Sequence, residues 1–338
     1  MRAVVLVGGF GTRLRPLTLS TPKQMLPVVG VTMFERVIAA LGRSGVDEAV
    51  ISLGYRPDRF VEAFPDGTCA GVRLHYATEP EPLDTAGAIA FAARHAGIDD
   101  TFLACNGDVL TDLDYAWLVE RHRDFGAEAT LHLTPVEDPS RFGVVPTDDE
   151  GRVTEFIEKP APGTAPTNAI NAGTYVIEPA LLDRIGEGEK VSIERVVFPA
   201  VAADRRLFAV ATDDYWLDAG TPEAYLRANL DLVDGHRAAR EAAVAADASI
   251  AAGATVEASV VGAAAVVAEG ACVRGSVVMD GATVEVGAVV EDSIVGRGAR
   301  VGAGAKVRGL SMVADGAVVA AAGELDGGCE PPKERWGV

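Results

Sequence analysis

Short aliphatic runs alternate with amphipathic stretches through the first 232 residues. Val4–Val7, Ala49–Leu53, Val72–Tyr76, Thr101–Cys105, Ala129–Leu133 and Ala172–Ile177 carry the pattern of buried or half-buried strands. Phe34–Gly42, Thr85–His95, Leu113–Asp124 and Pro222–Asp234 place apolar residues at helical spacing. Thr221 and Pro222 have the chemistry of an N-cap followed by a first helical residue. Alternation of this kind predicts an α/β domain with a mostly parallel, Rossmann-like sheet over residues 1–235. In such sheets ligands collect outside the carboxyl ends of the strands. Gly8–Arg13 and Asn106-Gly107-Asp108 both fall there.

The period then changes. Residues 236–248 are Ala-rich and charged, and read as a helical connector. Beyond them Ile250, Val267, Val284 and Val301 recur every 17 residues. Val256, Val273, Val290 and Val307 keep the same beat, as do Val261, Val278, Val295 and Met312. Each coil thus divides into segments of 6, 5 and 6 residues. Gly253, Gly270, Gly287 and Gly304, each followed by Ala, mark the same interval, and Leu310 reads as one residue inserted after Gly309, shifting Val313 and Val319 by one. This is the pattern of a left-handed β-helix of hexapeptide repeats over residues 249–326. Short arrays of this type associate through exposed faces or ends, so a homo-oligomer through this domain is expected. Residues 327–338 read as a tail packed by Trp336.

Charge sharpens the picture at the N-terminus. The chain has a formal net charge of -19, yet residues 1–34 contain Arg2, Arg13, Arg15 and Lys23 and no acidic residue. A strand emptying into Gly8-Gly9-Phe10-Gly11-Thr12-Arg13 is suited to a polyanion: glycines let backbone N–H groups approach phosphate oxygens, and arginine adds charge. The spacing is neither that of a P-loop nor the dinucleotide fingerprint. Overall acidity argues against nucleic acid as a partner. No apolar run approaches the ~20 residues that cross a bilayer, so no membrane association is expected. The opening strand does not have the form of a cleavable leader. Cys69, Cys105, Cys272 and Cys329 are scattered, with no C-x-x-C pair, and fit reduced thiols in the cytoplasm.

Gly8-Gly9-x-Gly11-Thr12-Arg13-Leu14-x-Pro16-Leu17-Thr18, followed by Pro22-Lys23, resembles the signature of the sugar-1-phosphate nucleotidyltransferases. The resemblance runs through roughly the first 230 residues. It implies a GT-A-like catalytic domain that joins an NTP to a sugar 1-phosphate and releases pyrophosphate. Such chemistry asks the protein to align two polyanions and neutralise them, with a divalent cation plus Lys and Arg. Mg²⁺ prefers one or two carboxylates together with phosphate oxygens and water.

Residue by residue, the resemblance implies that Asp108, after the strand Phe102–Cys105, is one metal ligand, and that Asp218 in Trp216-Leu217-Asp218-Ala219-Gly220-Thr221 is the other. Arg13 and Lys23 face the triphosphate. The nucleotide lies against Leu6, Gly8, Gly9, Gly11 and Thr12, and against Glu79, Pro82 and Gly87 in the segment Glu79–Ala88. Lys159 of Glu158-Lys159-Pro160 takes the sugar phosphate, while Glu158, Gly143 and Asn171 face the sugar. The Thr85–Ala88 and Asn171–Tyr175 forms are similar to those of mannose-1-phosphate guanylyltransferases, which implies GTP and mannose 1-phosphate. Two positions depart from the family pattern: Asp84 stands where a glycine is usual, and Gln24 where proline often follows the lysine. Asp84 could cap the helix beginning near Thr85.

Other readings remain open on sequence. A glucose-1-phosphate thymidylyltransferase or another NDP-sugar synthase shares most of the motifs. A non-catalytic NDP-sugar-binding subunit would lack charged site residues, and all five of Arg13, Lys23, Asp108, Lys159 and Asp218 are present. Acyl transfer by the β-helix normally uses a histidine, and residues 237–338 have none. His75, His95, His122, His132 and His236 cluster with nothing along the chain.

Overall fold

The computed structural model describes residues 1–54, 57–236 and 240–337. Contact density divides them into two compact units, Met1–Gly9 with Phe34–Trp216, and Phe10–Met33 with Leu217–Val338.

The first unit is built on a ten-stranded sheet among the described residues. Its elements, in chain order, are β1 (Arg2–Leu6), α1 (Met33–Arg43, from its second residue), β2 (Glu48–Leu53), α2 (Pro57–Ala63), β3 (Val72–Thr78), α3 (Asp84–His95) and β4 (Phe102–Asn106). Then come α4 (Tyr115–Phe125), β5 (Ala129–Pro135), β6 (Gly143–Val144), β7 (Ile157–Glu158), β8 (Ala169–Ile177), α5 (Phe198–Ala203) and β9 (Leu207–Ala211). β1 lies parallel between β2 and β4, β3 lies parallel to β2, and the tenth strand, the two-residue Thr68–Cys69, pairs antiparallel with β3. β8 runs antiparallel to β4 and carries β5 and β6, with β7 paired to β6. β9 adds parallel to β5. The predicted strands and helices are all present, shifted by a few residues at their ends. α2, α5 and β9 were not legible, being short and without a clean period. Helices and sheet meet over a core that includes Val4, Val50, Ile89, Phe102, Tyr175 and Phe198, all essentially inaccessible to solvent. Full burial of such a side chain is worth about 1.5–3 kcal/mol.

In the second unit α6 (Pro222–Asp234) begins as predicted: Thr221 Oγ1 accepts from the Ala224 N–H at 3.2 Å, and Pro222 takes a first-turn position. Gly235, in the left-handed region at φ 92°, closes it. After it, successive coils stack in parallel to form three sheets, the architecture of a left-handed β-helix. Val267, Val284 and Val301, then Val273, Val290 and Val307, then Val278 and Val295 fill the interior. Buried Ala265, Ala282 and Ala299 and Ala271, Ala288 and Ala305 sit where the chain corners. Ser259, Ser276, Ser293 and Ser311 form a ladder at one corner: the first three hydroxyls each accept the N–H of the serine one coil on at 3.0–3.2 Å, and that of Ser311 accepts the Gly328 N–H at 3.1 Å. These serines keep the repeat too, yet an aliphatic search passes over them.

The structure corrects two expectations here. Residues 240–248 hold no helix; residues 237–239 lie outside the described residues. Val244 already bridges Val261, because an αL glycine ends α6 and small alanines suit the first coil's corner. At the far end Cys329–Glu330 pairs with Met312–Val313, so what read as tail is partly a coil. Val313 occupies the interior column, as the one-position shift after Gly309 predicts: it pairs with Val295, while Met312 pairs with Ile294 on the outer side. Leu310, at φ 62°, is the inserted residue that causes this one-position shift.

The outer residues Val260, Val277, Ile294 and Met312 are themselves buried. α6 packs against the strand Val260–Val261 and against Pro27–Val28. The Tyr225 hydroxyl donates to the Pro27 carbonyl, and Asn229 Oδ1 accepts the Val29 N–H at 2.9 Å. A segment from the start of the chain is thereby built into the second unit.

Candidate active site

In the first unit the sequence-predicted residues gather along one edge of the sheet. β1 ends at Leu6 and delivers Gly8 and Gly9, with Gly9 at φ 97°. A methyl group on either glycine would meet no atom within 4 Å, so both face open space. β4 ends at Asn106 beside β1, and Gly107 turns the chain there by donating its N–H to the Leu6 carbonyl at 2.9 Å. A Cβ on Gly107 would lie 2.8 Å from Val7 Cγ1 and 3.1 Å from Leu6 O. The turn therefore admits only glycine, and it sets Asp108, 7 % exposed, just past the carboxyl end of β4.

Glu79, at the end of β3, anchors the following turn. One carboxylate oxygen accepts from Ser52 Oγ and the other from the Leu83 N–H, both at 3.0 Å. Pro82 lies in that turn. Asp84 is not the cap of α3: Leu83 holds that position, and Asp84 has φ 60° with its carboxylate accepting the Thr85 N–H at 2.8 Å. A left-handed residue explains why glycine is usual here; Asp is among the side chains that tolerate it best. Gly87 packs against the stretch before α5. A Cβ there would stand 2.3 Å from the Glu189 carbonyl oxygen and 2.8 Å from Leu83 Cβ.

β8 runs antiparallel to β4, so its early residues reach the same edge. Asn171 Oδ1 accepts the Gly173 N–H at 3.0 Å, and its Nδ2 donates to the Tyr175 hydroxyl at 2.9 Å. Gly173, at φ 73°, lies so close to Asn106 that a Cβ would stand 2.5 Å from its Nδ2. Trp216 Nε1 donates to the Ala172 carbonyl at 2.9 Å and its ring meets Phe142 edge-on. Across β6 and β7, Gly143 pairs with Glu158, and Lys159 Nζ lies 2.9 Å from Glu158 Oε1. Lys159 is itself at φ 50°, with its N–H donated to the Phe142 carbonyl.

In the second unit Gly11 (φ 59°) starts a short helical turn containing Thr12 and Arg13. Thr18 Oγ1 donates to the Gly11 carbonyl at 2.8 Å, and a Cβ on Gly11 would stand 3.1 Å from Lys23 Cβ. Gly11, Thr18 and the Lys23 stem thus form one packed unit. Asp218 Oδ1 accepts the Gly220 N–H at 2.9 Å. A Cβ on Gly220 would stand 2.8 Å from Asp218 Oδ1 and 2.9 Å from Arg13 Nη2. Arg13 and Asp218 therefore flank the same glycine, a link that spacing along the chain cannot show. Gly107, Gly173 and Gly220 stand in motifs of the sequence, but the groups that exclude a side chain from each are visible only in space: Val7 and Leu6, Asn106, and Asp218 with Arg13.

The histidines take other parts. His122 bonds Thr130 and Glu178, and His132 bonds Thr212. Burial lowers the pKa of both, that of His132 to about 4, which keeps them neutral. His236 does find company, against the sequence expectation. Ligand atoms of Asp231, Asp234 and His236 lie within 4.8 Å of one another at the end of α6, where helix geometry brings i and i+3 together. All four cysteines are free, and burial pushes the Cys69 and Cys105 thiols up to about 12. No helix among the described residues is long and apolar enough to cross a membrane.

Comparison with known proteins gives this geometry a family. A mannose-1-phosphate guanylyltransferase of Mycobacterium tuberculosis is 46% identical over 235 residues, 69% of this chain and 65% of the relative. A mannose-1-phosphate guanylyltransferase catalytic subunit beta of Dictyostelium discoideum is 40% identical over 228 residues, 67% and 63% of the two chains. The chain thus spans about 65% of the length of the curated relatives it matches. The crystal structure of HddC from Yersinia pseudotuberculosis superposes with a TM-score of 0.59 at 28% identity, covering 68% of this chain and 97% of that one. The same protein has been crystallised with GMP-PN. Residues 239–327 match the GMPPB C-terminal domain. Residues 2–235, which include every residue the sequence reading singles out for binding or catalysis, match the nucleotidyl transferase pattern, and the chain belongs to the nucleotidyl transferase family.

Proposed function

We propose that the protein transfers a guanylyl group from GTP to mannose 1-phosphate, giving GDP-mannose and pyrophosphate. The observation that carries the reading is the row of groups along one sheet edge: open glycines after β1, a carboxylate after β4, and Lys159 with Asn171 beyond. The two relatives' names support the choice of base and sugar.

A phosphate oxygen of the sugar 1-phosphate attacks the α-phosphorus of the NTP. The new O–P bond forms as the bond to the bridging oxygen breaks, and that electron pair leaves with pyrophosphate. In this reading Lys159 holds the sugar phosphate and Asn171, Glu158 and the Gly143 backbone hold the sugar. The Lys159–Glu158 ion pair opens to admit the ligand, at small cost because an exposed pair is worth about 0–1 kcal/mol. Leu6, Gly8 and Gly9 support the nucleotide, as do Gly11 and Thr12. Glu79 acts through its turn, since both its oxygens are spent on the protein; it positions Pro82 and Gly87. Arg13 and Lys23 neutralise charge on the reacting phosphates, the first as a fork and the second as a point charge.

The roles of metal ligand go to Asp108 and Asp218. Both offer hard oxygen donors, and Asp108 sits at the carboxyl edge of the sheet after β4, which suits Mg²⁺. When bound, the ion supplies neutralisation of the phosphates. Four unpaired cysteines support a reducing, cytoplasmic setting. Exposed Val266 and Val318, both on outward positions of one β-helix sheet, support association with a second copy, which light scattering tests.

The test is pyrophosphate release from GTP, ATP, UTP, CTP and dTTP, each with mannose, glucose and heptose 1-phosphates. GTP with mannose 1-phosphate is expected to turn over fastest; preference for dTTP with glucose 1-phosphate would overturn the assignment. Asp108→Asn and Asp218→Asn should each cut turnover by roughly a hundredfold, with the fold intact by circular dichroism.

A further inference from the structure

Ser52 stands out inside β2. Its neighbours Ala49, Val50, Ile51 and Leu53 are inaccessible to solvent, and so is Ser52 itself. A parallel strand covered on both faces is ordinarily an unbroken apolar run. A hydroxyl buried there costs stability unless it is hydrogen-bonded, and alanine would fill nearly the same space with no polar group to satisfy.

The bond this hydroxyl makes leads to the proposed site. Ser52 Oγ donates to Glu79 Oε1 at 3.0 Å, and the Leu83 N–H donates to Glu79 Oε2 at the same distance. The Glu79 N–H in turn donates to the Leu53 carbonyl at 3.0 Å. Glu79 is therefore fixed at its backbone and at both carboxylate oxygens, and its side chain closes the turn that leads into α3. The main chain of the same serine meets the other wall. Its carbonyl accepts the Val7 N–H at 3.2 Å, where β1 passes into Gly8 and Gly9. Ser52 thus touches both the strand that delivers the glycines and the acid that shapes the turn. Being inaccessible, it touches no substrate itself.

We propose that Ser52 is a positioning residue for the nucleotide: its hydroxyl holds the Glu79 carboxylate, and through it the turn that carries Pro82 and leads to Gly87. This rests on the assignment of that turn to the nucleotide and deepens it. A carboxylate pinned by two donors keeps one orientation; with one donor gone it swings, and the turn loosens.

Ser52→Ala, Ser52→Thr, Glu79→Ala and the double variant Ser52→Ala/Glu79→Ala test this in steady-state turnover and in calorimetric titration with GTP and magnesium. Ser52→Ala should raise the KM for GTP and weaken GTP binding by roughly tenfold, the scale of one hydrogen bond to a charged group. The KM for mannose 1-phosphate and kcat should stay within about twofold, and Ser52→Thr, which keeps the hydroxyl, should recover the KM for GTP. In the Glu79→Ala background, Ser52→Ala should add less than about twofold, because its path runs through the missing carboxylate. An unchanged KM for GTP overturns the proposal. So do equal rises in both KM values, the mark of a purely structural role, and a full Ser52 effect that persists without Glu79. If the unaltered chain binds GTP but does not guanylylate mannose 1-phosphate, the functional reading falls and titration alone decides: weaker GTP binding by Ser52→Ala keeps the positioning role, and equal binding overturns it.

Discussion

Gln24 shows how a single residue can be conspicuous in sequence and explained only in space. It replaces the proline often found after the family's lysine. Its side chain is 1 % exposed, and neither amide atom has a hydrogen-bond partner. Gln24→Met keeps the length of the side chain and removes the unpaired groups, and should stabilise the protein by about 1–3 kcal/mol. Denaturant titration reads this as a higher midpoint at unchanged slope; a lower midpoint would refute it. Asp84 is the companion case. The departure from glycine is visible in the sequence, but its meaning lies in the positive φ, which glycine meets freely and Asp meets with its own hydrogen bond to Thr85. Arg13 and Asp218 were each legible by motif, whereas their common approach to Gly220 was not, because some 200 residues separate them.

Among elements, α3 and the stretch that covers its start carry the nucleotide side of the proposed site. The Ala86 and Gly87 N–H groups both donate to the Val191 carbonyl, and the Val191 N–H donates back to Leu83. Thr85 Oγ1 donates to Glu194 and accepts the Ile193 N–H. Gly87→Ala places a methyl group against the Glu189 carbonyl and must push these segments apart, at a cost of about 1–3 kcal/mol. A raised KM for GTP with little change for mannose 1-phosphate is the expected result; equal changes in both would show that the glycine serves the fold alone. The helices were readable because amphipathic periodicity is a local property. The connector was misread because alanine favours helix only until something else, here Gly235 and the first coil, claims its backbone.

At the scale of the molecule, the second unit joins residues 10–33, α6 and the β-helix. The outer ladder Val260, Val277, Ile294 and Met312 is buried in it, each side chain worth about 1.5–3 kcal/mol. Removing residues 247–338 should therefore do more than shorten the chain. The apolar side of α6 loses its partner strand, and the Phe10–Met33 stretch that carries Arg13 and Lys23 loses part of its support. Limited proteolysis followed by mass spectrometry should show early cleavage within residues 10–33 of the truncated protein and none there in the full chain. Equal resistance would mean that this segment is held by the first unit.

The sequence by itself determined what depends on near neighbours and on repetition. It specified the alternating strands and helices, the 17-residue beat with its one insertion, and the glycine-rich cationic loop. Those features follow from side-chain periodicity and backbone freedom, which act over a few residues at a time. Only the tertiary structure decided which strands share an edge, that Gly220 seats Arg13 beside Asp218, and that the N-terminal segment belongs with the β-helix. Each of these is a packing decision between residues far apart in the chain. Its energy comes from burial and from steric exclusion, neither of which a linear pattern records.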